Sequence, residues 1–148
     1  MELVIKHYSE LTVPELHDIL QLRSAIFVVE QNCVYQDIDG TDPHAYHLYL
    51  RDEDAIVAYL RVLPAGVRYD DVSLGRVVSA KRRCGYATRL LCEGIRVARE
   101  KFGAKRIVIG AQKYARKLYE GVGFVQFGED YLEDGIVHIH MEITLEEK

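Results

Sequence analysis

Apolar residues recur along this chain with two periods, and their switches mark out the elements. Glu2 to Tyr8 reads as a short first strand. Thr12-Val13-Pro14-Glu15 then has the spacing of a capping box, in which a Thr hydroxyl and a Glu carboxylate satisfy the first free amides of a helix. Leu16, Ile19, Leu20, Arg23, Ile26 and Phe27 follow at helical intervals and lead into Phe27-Val28-Val29-Glu30-Gln31. Asp37 to His44 is polar, with Gly40 and Pro43, and reads as a solvated loop. Tyr46 to Leu50 and Ala55 to Leu63 read as strands joined by the acidic turn Asp52-Glu53-Asp54, and Val72 to Ser79 as a further strand. Ala87, Leu90, Leu91, Ile95, Ala98 and Phe102 share one helical face, and Gly103 stands where that helix would stop. Arg106 to Ala111 is a buried-type strand, and Gln112 to Glu120 a short helix ending at Gly121. Phe124 to Tyr131 and Ile136 to Leu145 are final strands around the turn Glu133-Asp134-Gly135. The order β-α-β-β-β-α-β-α-β-β predicts an α/β fold: a mixed, partly parallel sheet with helices on its faces.

A chain of 148 residues has room for one such domain, 1–148, and contains no repeat or linker that would divide it. It is 49% hydrophobic and 28% charged, the balance of a soluble protein. No apolar run approaches the ~18–20 residues of a membrane span, and the first residues mix charge with apolar side chains, unlike a secretory signal. The expectation is a soluble cytoplasmic protein that does not engage membranes. The net charge of −4 argues against nucleic acid as a partner, since phosphate binding needs surplus Lys and Arg. Charge is nevertheless clustered. Lys81, Arg82 and Arg83 form one basic knot, Lys113, Arg116 and Lys117 another, while Asp37, Asp39, Asp42 and Asp52 make the middle acidic. Cys33, Cys84 and Cys92 are odd in number and unpaired in spacing, which fits a reducing compartment.

The segment Arg82-Arg83-Cys84-Gly85-Tyr86-Ala87 follows a strand and opens a helix. Gly85 lets backbone approach a ligand, a small Ala87 permits close contact in the first turn, and the helix dipole favours phosphate there. A glycine and an arginine at a helix start also serve as a plain cap. One strand and one helix further on stands Ala115-Arg116-Lys117-Leu118-Tyr119-Glu120-Gly121-Val122-Gly123-Phe124. The chain has neither a Walker A loop nor a three-glycine dinucleotide fingerprint.

Taken together, the two segments resemble the R/Q-x-x-G-x-G/A and A-x-x-x-Y-x-x-x-G-F motifs of the GNAT N-acetyltransferase superfamily. Phe27 to Gln31, Asp39-Gly40, Gln112 and Glu133 to His138 are similar to its ElaA-like branch, over nearly the whole chain. Ala87 in place of a second glycine, Cys84 and Ser79 depart from the usual pattern, and none of them removes a backbone donor. The resemblance implies acetyl-CoA as co-substrate, with its pyrophosphate on Arg82, Arg83, Cys84, Gly85, Tyr86 and Ala87. It implies a pantetheine arm along Val77, Val78 and Ser79, and contributions from Gln112 and Tyr119. It implies an amine acceptor, either a small molecule or a protein amine, and by analogy a homodimer.

On that reading no covalent enzyme intermediate is needed, because a neutral amine attacks the thioester directly. The protein must supply alignment, a base for the ammonium and an acid for the departing thiolate. Tyr119 is the candidate acid and Glu30 the candidate base, with His47 and His138 in reserve. A chain that binds acyl-CoA without turnover, as a sensor or a subunit, is the competing expectation. His44-x-x-His47 and His138-x-His140 invite a metal, but the resemblance gives it no support, and none is expected. The spacing of Asp37 to Asp42 does not fit a calcium loop. That loop reads as solvated, with the capacity to attract a cationic acceptor.

Overall fold

Two antiparallel sheets meet edge to edge. The computed structural model describes residues 1–80 and 84–145. In chain order it contains β1 (Glu2–His7), α1 (Val13–Arg23), a π-helical segment (Ser24–Glu30), β2 (Tyr46–Asp52), β3 (Ala55–Leu63), β4 (Ser73–Ser79), α2 (Tyr86–Phe102), β5 (Arg106–Gln112), α3 (Arg116–Glu120), β6 (Val125–Glu133) and β7 (Ile136–Thr144). The first sheet runs β1-β2-β3-β4 and the second β5-β7-β6. The element order expected from the sequence therefore holds. The expected parallel character shrinks to a single bridge, Val72 to Ile107, where the Val108 amide donates to the Val72 carbonyl at 3.0 Å. Beside it, Arg106 pairs with Asp71 at 2.8 Å and also holds Glu142. Past these contacts β4 and β5 part.

Local chemistry explains the elements. Thr12 accepts from the Glu15 amide at 3.2 Å while Glu15 accepts from the Thr12 amide at 2.9 Å, closing the capping box that starts α1. Glu15 is also bonded by Lys6 and Tyr49. Burial alone would raise its carboxyl, but the Tyr49 hydrogen bond and its companions bring it down to about 2. The turn at Asp134 and Gly135 has positive φ at both residues, as a two-residue hairpin requires. Ile19 of α1 joins Tyr49, Ile56, Tyr59 and Val78 on one face of the first sheet. Leu90, Leu91, Val97 and Ala98 of α2 cover the other face, in a core that continues through Ile107, Ile109, Ile139 and Met141 of the second sheet. Both faces of β2 and β3 are thus buried, which accounts for their unbroken apolar runs.

The buried line of α1 is Glu15, Ile19 and Arg23, spaced four apart, while Leu16 and Leu20 are only half-buried. Arg23, fully buried, donates to Asp37 at 3.1 Å and to Asp42 at 2.9 Å. Arg61, in the middle of β3 and also buried, donates to Asp42 at 2.9 Å and to Asp39 at 2.7 Å. The segment expected to be a solvated acidic loop is therefore an internal ion-pair network. Its charge is answered by arginines instead of waiting for a cationic acceptor. Burial would raise Asp42, yet the hydrogen bonds and charge of Arg23 and then Arg61 hold it below its ordinary value. Arg61 and Thr41 do the same for Asp39.

Asp42→Asn should cost about 3–5 kcal/mol in urea unfolding, because it leaves two buried guanidiniums short of a carboxylate. The sign with pH follows from the depressed carboxyls. Their stabilisation is complete above the unfolded value of 3.8 and is lost as pH falls below it toward the folded values. The variant should show a shallower acid-side loss of stability than the wild type in pH-dependent melts.

Candidate active site

The site begins with a fault in β4. Tyr59 stands opposite Val78 and Arg61 opposite Gly75, so Arg76 and Val77 together face one residue of β3, which makes a bulge. Arg76 takes φ 52°, in the left-handed region. Its guanidinium is held by the Asp37 side chain at 2.8 Å and the Asp37 carbonyl at 3.1 Å, and lies 5.4 Å from the centre of the Tyr35 ring. The bulge turns β4 away from β5, and an open groove of about 940 Å³, mouth included, lies between them.

Several elements supply its walls. Leu74, Gly75 and Val77 belong to β4, Gly110 to Gln112 to β5, and Tyr119 to α3. Phe27 and Gln31 reach it from the π-helical segment and its end. The Gln112 side-chain amide donates to that of Gln31 at 3.1 Å, and the Cys33 thiol sits 3.7 Å from the Asp134 carbonyl, so this segment spans from one sheet to the other. The π-helical turns replace the α-helix expected through Phe27. The Gln31 and Cys33 amides bond carbonyls five residues back, Ile26 and Val28, at 3.2 and 3.0 Å.

Tyr119 is half-buried and packs edge-on against Phe124, with ring centroids 6.1 Å apart. Burial pushes its phenol well above the ordinary tyrosine value, with the neighbouring Tyr114 adding to the effect. Its proton therefore stays in place throughout the neutral range. His138, buried on β7, also lines the groove. Its Nδ1 is 2.8 Å from the Ile136 carbonyl, which can only accept, so Nδ1 carries a hydrogen. That leaves Nε2 facing the Glu133 carboxylate at 3.4 Å.

The other expected residues are more dispersed. Val77, Gln112 and Tyr119 share the groove. Val78 points its side chain into the core on the α1 face, which leaves only its backbone for a ligand. Ser79 ends β4. Cys84, Gly85, Tyr86 and Ala87 stand at the start of α2 and are not on the groove wall. Gly85 adopts φ 73°, a left-handed conformation suited to glycine, and among the described residues no side chain caps the helix. Arg82 and Arg83 lie outside the described residues. Glu30 is exposed at the end of the π-helical segment and is not on the wall. His47 is buried, with one nitrogen 2.6 Å from the Tyr59 hydroxyl and the other 3.0 Å from the Asp42 carbonyl. Burial holds its pKa down, so it is a structural residue. Arg61, Arg68, Arg76 and Tyr35 line the groove without having been singled out. The available signal for Arg61 was a charge inside an apolar strand, which demands an acidic partner.

The fold that carries this groove has counterparts among known proteins. The crystal structure of an acyl-CoA N-acyltransferase from Pseudomonas aeruginosa matches with a TM-score of 0.90 at 36% identity, over 97% of this chain and 100% of that one. Protein ElaA of Escherichia coli is 39% identical over 139 residues, covering 91% of each chain. Its crystal structure gives a TM-score of 0.89 over 96% of this chain and 98% of that one. Residues 6–145 match the family model for the acetyltransferase (GNAT) domain. The chain belongs to the GNAT acetyltransferase family, in company with ElaA.

Gly85→Val forces a β-branched residue into the left-handed region. It should destabilise the protein by about 1–2 kcal/mol in urea unfolding, a loss set by backbone conformation since no atom crowds the site.

Proposed function

We propose that this protein moves an acetyl group from acetyl-CoA to an amine by direct attack within a ternary complex. The observation that carries the reading is the half-buried, protonated Tyr119 phenol on the wall of a groove opened by the bulge in β4. The donor set suits the co-substrate. The amides of the first turn after Gly85 match the acceptor oxygens of a diphosphate, and Arg82 and Arg83 would add charge at the rim. The edge of β4 that parts from β5, at Val77 to Ser79, suits the amides of a pantetheine arm laid down as an added strand. Three cysteines with no disulfide between them are consistent with a cytoplasmic setting.

In this scheme the amine nitrogen attacks the thioester carbonyl carbon and the C–S bond breaks. A backbone amide near Val77 or Val78 stabilises the oxyanion, an interaction worth roughly 3–4 kcal/mol in comparable sites. The proton leaving the nitrogen goes to a base, and the departing sulfur takes the Tyr119 proton. The groove wall supports His138 as the base, through Nε2. Glu30, exposed and off the wall, would need a water chain to act.

Tyr119→Phe should lower kcat by about 10²-fold or more while changing acetyl-CoA affinity little, with free thiol followed against a panel of amines. His138→Asn should lower kcat by about 10²-fold with little change in acetyl-CoA affinity, whereas Glu30→Gln should leave kcat nearly unchanged; the reverse pattern would make Glu30 the base. Acetyl-CoA binding without amine-dependent thiol release would convert the protein into a non-catalytic acyl-CoA binder.

A further inference from the structure

Beside the groove, hydrogen-bond donors outnumber their acceptors. A Cβ placed on Gly110 would come within 2.7 Å of the Tyr69 hydroxyl, 2.8 Å of the Tyr131 hydroxyl and 3.6 Å of Arg68 Nη2. Two phenols and a guanidinium thus converge on one spot that only a glycine leaves free. The Tyr131 hydroxyl is buried beside that of Tyr69 and has no other hydrogen-bond partner among the described residues. Its ring is clamped by His140, with centroids 4.5 Å apart. Arg68 lies over the Tyr69 ring at 5.3 Å. Among the described residues its one carboxylate contact is Glu133, at 3.5 Å, the limit of a hydrogen bond, and both side chains are partly exposed. Glu133 in turn faces His138.

A guanidinium whose partners are the Tyr69 phenol and one carboxylate at the limit of bonding has N–H groups to spare for a further anion. The adjacent Glu133 calls for a cation. We infer that the acceptor is an amino acid: its carboxylate is held by Arg68, and its ammonium by Glu133, next to His138, three residues that share the groove wall. The inference rests on the transferase reading and narrows its acceptor. A zwitterion whose charges lie a few ångströms apart replaces one long ion pair with two good ones. A simple alkylamine or an ester answers only Glu133. The same arrangement delivers the ammonium proton beside His138 Nε2.

The test is calorimetric titration of free amino acids, their methyl esters and the matching alkylamines into protein saturated with CoA, which reads binding without turnover. At least one acid should bind about tenfold or more tightly than its ester, the fold-change expected of a charge-assisted hydrogen bond. Arg68→Gln should bring that acid down to its ester, and Glu133→Gln should weaken acids and esters alike. Acids that bind no better than their esters, or a preference that survives Arg68→Gln, overturn the inference. Thiol release with amines regardless of a carboxylate would leave the transferase reading standing and remove this one. Selective binding of acids with no thiol release would do the opposite.

Discussion

Three arginines facing three aspartates hold the shape from which the groove follows. Arg76 adopts a backbone conformation that costs an L-residue of order 1–3 kcal/mol, and it does so in a strand. Two hydrogen bonds from its guanidinium to Asp37 offset that strain, since bonds to charged groups contribute about 1.5–3 kcal/mol each. Asp37 can hold Arg76 only because Arg23 fixes it from the other side, and Arg23 is fully buried against Asp42 as well. Arg61 closes the set by tying Asp42 to Asp39. The network thus links α1, the loop that follows it, β3 and β4. At the other end of β4, the Val72 to Ile107 bridge and the Arg106 to Asp71 pair keep the sheets joined. One end of β4 is pinned to the second sheet and the other is bulged away from it, and the groove is the wedge between.

That geometry explains what the chain revealed before folding and what it withheld. The strands and helices stood out because each carries a long apolar period, as in α2, whose buried Leu90, Leu91 and Ala98 were all on the expected face. The turn at Asp134-Gly135 was readable from residue type alone. Gly85 and Tyr119 were legible because each sits in a short motif tied to a strand–helix order. The ion-pair network was not. Asp37, Asp39 and Asp42 look solvated in a polar loop, and nothing local says that Arg23, Arg61 and Arg76, up to 39 residues away, will bury them. Arg23 lay in plain view on the apolar face of α1, where a charge is tolerable only with a partner.

The π-helical segment and the parting of the sheets were hidden for different reasons. Seven residues make fewer than two turns, too short a stretch for apolar spacing to distinguish one helical pitch from another. The parting depends on a two-for-one register at Arg76 and Val77 that leaves no mark in a β-branched run. The acceptor end was equally opaque. Arg68 and Tyr69 lie in the loop between β3 and β4, and Glu133 in a hairpin. Only the second sheet, by placing Gly110 beneath them, brings these residues to one place.

The burial of Tyr119 looks at first like a handicap for an acid, because a phenol with a raised pKa yields its proton reluctantly. On the proposed reading, the same burial acts on the leaving group. A thiolate forming in that groove would lose solvation too, and an apolar setting raises a thiol's pKa as it raises a phenol's. The two groups climb together, and the difference that governs transfer between them stays small. Efficient proton transfer needs that match more than it needs a low absolute value. A more exposed phenol would face a more exposed sulfur and water besides, and the thioester would then be open to hydrolysis. The half-buried position therefore keeps the proton in reserve until sulfur becomes basic enough to take it.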